Sequence, residues 1–274
     1  MKTLSTIAFF VCIVIPALAA LVLSAVYASG FFHAEETSIV YFVQMAESTR
    51  FLKALGYTFL LATSVVAFSS FVALKIVKLL NRRMEIPSWY LLPFAIPPVV
   101  AAFFGFHLLS GVGLLSRITH ALGIYSTPVD FPALVNDPMG IGTFASHFML
   151  CMPFFLVYFI YLRSQPKLEQ LAETARTLGA NEKQVWRHII RPTLLHKSTP
   201  LLLVFFVFVL GTYEIPLLLG SQSVRAVVPV IVDQIKGYNL KGIPTGYAMA
   251  LAYSVIIMIV AAGLSKKMNR QYGA

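Results

Sequence analysis

The sequence predicts an all-α fold, a polytopic membrane helix bundle with six transmembrane helices. Three observations carry this reading. Of 274 residues, 58% are hydrophobic and only 12% charged, with a mean hydropathy of +0.79, more apolar residue than a water-soluble domain can bury. The apolar residues gather into six runs, at about 7–28, 56–80, 88–110, 141–163, 199–220 and 243–264. Each is long enough to cross the hydrocarbon layer, which takes ~20 residues of helix. The basic residues, finally, collect in alternate connections between the runs.

The first run could be mistaken for a signal peptide, because Lys2 precedes an apolar stretch ending in Ala17-Leu18-Ala19. No charged residue occurs from Thr3 to Phe32, however, far beyond the length of a signal-peptide core, so it reads as a retained span. With the N-terminus in the cytoplasm, cytoplasmic segments hold 15 of the 21 Lys and Arg: Lys2; Lys75, Lys78, Arg82 and Arg83; seven from Arg163 to Lys197; Lys266, Lys267 and Arg270. External segments hold the other six, Arg50, Lys53, Arg117, Arg225, Lys236 and Lys241. This is the positive-inside pattern, and it places both termini in the cytoplasm. The net charge of +10 therefore reflects topology and implies no nucleic-acid partner. Cys12 and Cys151 both fall inside apolar runs and read as small buried residues, with no disulfide framework and no metal site.

The external connections are short. That at 29–54 carries Glu35, Glu36 and Glu47, and that at 221–242 is mixed in charge. The connection at 111–140 opens Gly111-Val112-Gly113-Leu114-Leu115-Ser116; a dinucleotide site would need a third glycine and a preceding strand, and neither is present.

Inside the membrane, prolines interrupt the third span (Pro93, Pro97, Pro98), the fourth (Pro153) and the fifth (Pro216). Such breaks line cavities in transporters or simply improve helix packing; the triple cluster favours a functional bend. Glu214, within Gly211-Thr212-Tyr213-Glu214-Ile215-Pro216, is the one acid placed in a span, where a carboxylate avoids lipid. Two readings stand. It lines a translocation path with Tyr213 and favours a cation, or it is a structural carboxylate bonded to a neighbouring helix or water. His107 and His147 lack carboxylate or cysteine companions at ligand spacing and read as interhelical hydrogen-bonding groups. Trp89 and Tyr90 suit the interfacial belt. The chain carries no phosphate-binding loop, nucleophile elbow or paired carboxylates, so catalysis is not expected of it.

The polar stretch Leu168–Pro192 lies between two spans. Pro166 suits a first helical position, and Leu168, Leu171, Ala172, Ala175 and Leu178 follow as one apolar stripe. Gly179 fits the left-handed residue that ends a helix. Asn181 with Gln184 forms a capping box for a second helix. Val185, Trp186, Ile189 and Ile190 make its stripe, and Pro192 discourages further helix. Two amphipathic helices joined at a glycine look made to be gripped by another protein. A DNA-reading helix-turn-helix, with Lys183, Arg187 and Arg191 on its second helix, is the rival. About 35 residues between two spans leave no third helix for such a domain.

This stretch resembles the "EAA" loop of binding-protein-dependent ABC-importer permeases, whose pattern is Glu-Ala-Ala, three residues, Gly, nine residues, Ile-x-Leu-Pro. Here the matching residues are Glu173-Thr174-Ala175, Gly179 and Ile189-Ile190-Arg191-Pro192, with every spacing kept; Thr174 replaces an alanine and Arg191 a leucine. The resemblance covers roughly 55–265 and implies a type I ABC importer permease with a methionine-importer-like fold. Residues 1–54 would form the first helix and external connection, 55–265 the permease core with its loop at 164–198, and 266–274 a cytoplasmic tail. Glu173, Thr174, Ala175, Gly179, Ile189 and Pro192 would couple to separate ATPase subunits. The implied setting is a bacterial inner membrane, with membrane lipid around the chain, a second identical or related permease beside it and an extracytoplasmic substrate-binding protein above. The chain itself would hold no cofactor, ATP-Mg binding on the ATPase. The run Tyr213 to Gly220 looks like the corresponding segment of the polyamine, iron and thiamine group, which implies a small polar solute of the polyamine-like organic cation class. An ion-gradient-driven carrier or channel is the alternative, and would need intramembrane ionisable groups beyond Glu214.

Overall fold

A computed structural model of the chain describes residues 15–30, 39–80, 95–127, 130–132, 134–237 and 242–272, with side chains described as far as Lys266. Every regular element among these residues is helical: α1 (Ile15–Ala28), α2 (Val40–Glu47), α3 (Thr49–Leu79), α4 (Pro98–Leu109), α5 (Leu114–Ala121), α6 (Ile141–Arg163), α7 (Pro166–Thr177), α8 (Glu182–Val185), α9 (Arg191–Gly211), α10 (Glu214–Leu219), α11 (Val227–Lys236) and α12 (Ile243–Tyr272). A π-helical turn, Trp186–Ile190, joins α8 to α9. Among the described residues, five helical stretches are long and apolar enough to cross a membrane: Thr49–Leu79, Pro98–Ala121, Ile141–Arg163, Glu182–Gly211 and Ile243–Lys266.

The fourth expected span coincides with α6. The second begins a full two turns early, at Thr49. The first is described only from Ile15, as a 14-residue helix. The third expectation began at residue 88, but its described helix starts at Pro98, behind an extended Pro97. Proline is at home in such a first turn, where its missing N–H has no partner to lose. Cys12, Glu35, Glu36, Arg82, Arg83, Trp89, Tyr90, Pro93 and Lys241 lie outside the described residues.

The fifth span departs most from expectation. No break occurs at Pro192; the second amphipathic helix continues through the π-turn into α9, giving 30 helical residues from Glu182 to Gly211. A proline in a regular helix lacks the N–H for the ladder and clashes with the carbonyl one turn back. In the wider turn the Arg191 N–H bonds the Trp186 carbonyl instead, a local spacing that accommodates the ring. At its far end the helix stops early, at Gly211, and α10 follows as a separate six-residue helix.

Two compact units divide the chain. One comprises 1–56 and 226–262. Within it, Arg50 pairs with Asp233 at 3.2 Å, the Thr245 hydroxyl donates to Gln44 Oε1 at 2.9 Å, and Tyr27 stacks on Tyr247 with ring centroids 4.6 Å apart.

The other comprises 57–225 and 263–274. Its apolar centre is Ala101, Ala102 and Leu109 of α4, Leu150 of α6, and Ile215 and Leu219 of α10. Small residues let these helices approach: a Cβ at Gly105 would collide with the Ser146 hydroxyl, close packing that drives association where lipid is as apolar as the side chains. Phe205 of α9 sits against Phe154 and Phe155 of α6, with ring centroids 4.9 and 5.1 Å away. The N-terminus of α6 is held by buried Asp137, whose carboxylate accepts from the Ile141 and Gly142 N–H groups at 2.7 and 3.2 Å. The charge sits where helix N–H groups lack partners. Gly140, immediately before α6, has φ +73°.

Candidate functional site

The polar hairpin forms as its local chemistry dictates. Pro166 opens α7 behind an extended Gln165. At the other end the Gly179 N–H bonds the Arg176 carbonyl at 2.9 Å and the Ala180 N–H the Ala175 carbonyl at 3.0 Å. That double closure requires a left-handed residue, and Gly179 supplies it at φ +89°. Asn181 then caps α8: its Oδ1 accepts from the Gln184 N–H and Gln184 Oε1 accepts from the Asn181 N–H, both at 2.9 Å. Arg176 spans the turn to Glu182, Nε to Oε1 at 2.7 Å.

The stripe on α7 splits into two faces. Leu168 and Ala172 are buried, but Leu171 and Leu178 are 58% and 84% exposed. Seven residues apart, these two leucines lie on one face, with Thr174 one turn from each. Glu173, Thr174 and Gly179 are exposed and Ala175 is half-buried. Ile189, half-buried, and Pro192, exposed, belong to the following continuous helix. On that helix Val185 and Ile190 are buried, so the second stripe does anchor the hairpin.

A junction that the sequence reading missed lies beneath the hairpin. Arg163, the last residue of α6, donates through Nη1 to the carbonyl of buried Val77 near the end of α3. The same guanidinium lies 5.5 Å from the centre of the Trp186 ring, a cation–π distance. One side chain thus ties the ends of two spans to the π-turn. In the sequence it registers only as one more basic residue at a span end.

At the other end of the unit, α9 stops when Thr212 turns extended, its hydroxyl donating to the Phe208 carbonyl at 2.8 Å. Thr212 and Tyr213 form the break between α9 and α10, and Glu214 opens α10 directly behind it; Tyr213 and Glu214 are both half-buried. Ile215, Pro216 and Leu219 hold α10 in the apolar centre. No protein hydrogen bond or ion pair to the Glu214 carboxylate exists among the described residues. His147 is buried and its Nδ1 lies 2.8 Å from the Thr143 carbonyl. That contact is within its own helix, not between helices as expected. His107 is exposed.

A family model, binding-protein-dependent transport system inner membrane component, matches residues 88–271. That stretch is well over half of the chain and contains both the hairpin and the helix break. The chain belongs to this family. As a binding-protein-dependent inner membrane component it is a multi-pass permease of the ABC importers. Its fold is similar to a bacterial ABC transporter involved in the import of the acidic polysaccharide alginate. The TM-score is 0.74 at 17% identity, over 98% of this chain and 94% of that one. A second structure is similar, the bacterial alginate ABC transporter in complex with an alginate pentasaccharide-bound periplasmic protein. There the TM-score is 0.69 at 20% identity, over 98% and 91% of the two chains. No curated protein matches this permease.

Proposed function

We propose that this permease takes its driving force from a separate ATPase subunit through α7 and the Gly179 turn. The supporting observation is the outward face of α7. Leu171 and Leu178 stand exposed on a helix whose own apolar side, turn and following cap are all satisfied, so this face is left for a partner. Glu173 beside it offers a carboxylate to a basic group. The hairpin's position among the basic connections puts it in the cytoplasm with both termini. ATP-Mg belongs to the partner, and a second permease and an extracytoplasmic binding protein complete the assembly.

With Leu171→Cys in the whole transporter, a short cross-linker should trap the ATPase, and nucleotide state should change the yield. A normal uptake rate with Leu171 never within reach of an ATPase would remove the proposal.

For the cargo, we propose a small polar solute, with an organic cation of polyamine type as the finer reading. Its support is Glu214, first residue of α10 just after the helix break, with no protein partner for its charge among the described residues. An unpaired acid at this depth is costly unless it faces water or solute. Glu214→Gln should lower uptake of a cationic solute while membrane insertion stays normal; unchanged uptake and selectivity would leave the carboxylate outside the path.

A further inference from the structure

The cleft between the end of α3 and the π-turn is not used by the coupling face of α7. It is an open cleft of about 250 Å³. Lys75 and Lys78 line it from α3, and Lys183, Arg187 and Arg191 from the facing helix. Among the described residues no carboxylate lines it and none of these five cations makes an ion pair. These five cations are all exposed at the rim; water and salt screen their mutual repulsion, and an anion seated among them would relieve what remains.

The floor of the cleft is apolar. Leu74 is buried, Phe71 is half exposed with the Lys75 ammonium 5.3 Å from its ring centre, and Trp186 forms the opposite wall. Phe71, Leu74, Lys75 and Lys78 follow at helical spacing on one face of a membrane span, in its last turns before Leu79. The apolar residues thus come first along the span and the last cation nearest its end. This order matches a lipid at the interface, with acyl carbons below and phosphate above, and a tryptophan at headgroup depth fits the same level. A soluble anion would gain nothing from Phe71 and Leu74.

We infer that this cleft binds the headgroup of an anionic phospholipid. Basic pockets between spans on the positive side of a membrane hold such headgroups, through charge and hydrogen bonds to the phosphate. The inference needs only the position of the cleft at the end of a span; it stands or falls independently of the ATPase contact at α7.

The test uses the full chain in phosphatidylcholine nanodiscs, with Trp89→Phe so that Trp186 is the one remaining tryptophan. Brominated phosphatidylglycerol, titrated in, should quench Trp186 at much lower mole fraction than brominated phosphatidylcholine. Replacing two cations, Lys78→Gln with Arg187→Gln, should weaken that preference roughly thirtyfold. The charge-conserving pair at the same two positions, Lys78→Arg with Arg187→Lys, should keep it, which separates loss of charge from loss of folding. Equal quenching by the two lipids would overturn the inference, as would a preference that survives the double glutamine variant. Competition by inorganic phosphate as effective as by the lipid would overturn it too, assigning the cleft to a soluble anion. So would cross-linking of Arg187→Cys to an ATPase with no lipid preference, which would assign the cleft to a protein surface.

Discussion

Arg163 does the work of several contacts with one side chain. Its planar guanidinium can donate to the Val77 carbonyl and lie against Trp186 at once, which a lysine ammonium cannot reproduce. Losing a charged hydrogen bond and a cation–π contact together costs about 2 kcal/mol. Arg163→Ala should therefore lower the unfolding midpoint of the purified permease in a denaturant titration, and Arg163→Lys should restore less than half of the difference. An alanine variant as stable as the parent would mean the junction is incidental. Asp137 is the second residue whose role lay outside the sequence reading. An acid just before an apolar run is a legible signal for a helix N-terminus. Asp137 falls in the connection just before the fourth span.

At the scale of elements, the hairpin is where local chemistry and tertiary packing agree. The turn at Gly179 and the Asn181–Gln184 box are each closed by neighbours in sequence, so no distant contact is needed to form them. A Cβ added at Gly179 would meet nothing within 4 Å, and the obstacle there is the positive φ alone. Asn and Asp tolerate that conformation best among non-glycine residues. Gly179→Asn should therefore keep transport within about threefold, the strain being about 1 kcal/mol. Gly179→Asp, similar in shape but charged, should insert normally and abolish or uncouple uptake. Equal loss in both variants would point to backbone strain, and normal uptake in both would detach this turn from coupling. The second helix shows the opposite case. Pro192 read as a stop because a proline is judged against regular α-helical spacing, but a π-turn changes that spacing.

For the whole molecule, the expected orientation rests on charge. Fifteen basic residues on one set of connections against six on the other is a bias set during insertion, before any packing exists. A membrane-impermeant thiol reagent should therefore label Leu178→Cys, 84% exposed, in inside-out vesicles and not in intact cells. With Cys12 replaced by Ser, the remaining native cysteine, Cys151, is buried and adds little background. Labelling from the outside would reverse the topology and remove the hairpin from any cytosolic ATPase.

The division between what was readable and what was not has one cause. Spans, orientation, the glycine turn and the capping box depend on composition or on contacts a few residues apart. Composition pointed to six apolar runs, five of which are helices long and apolar enough to cross among the described residues, and local spacing told where the hairpin turns. Only the folded chain could decide the rest: the run of helix past Pro192, the break that isolates Glu214, the exposure of Leu171 and Leu178, and the meeting of Arg163 with Val77 and Trp186. Each of these depends on which surfaces of distant segments come together, and hydrophobic periodicity marks an apolar face without naming what covers it.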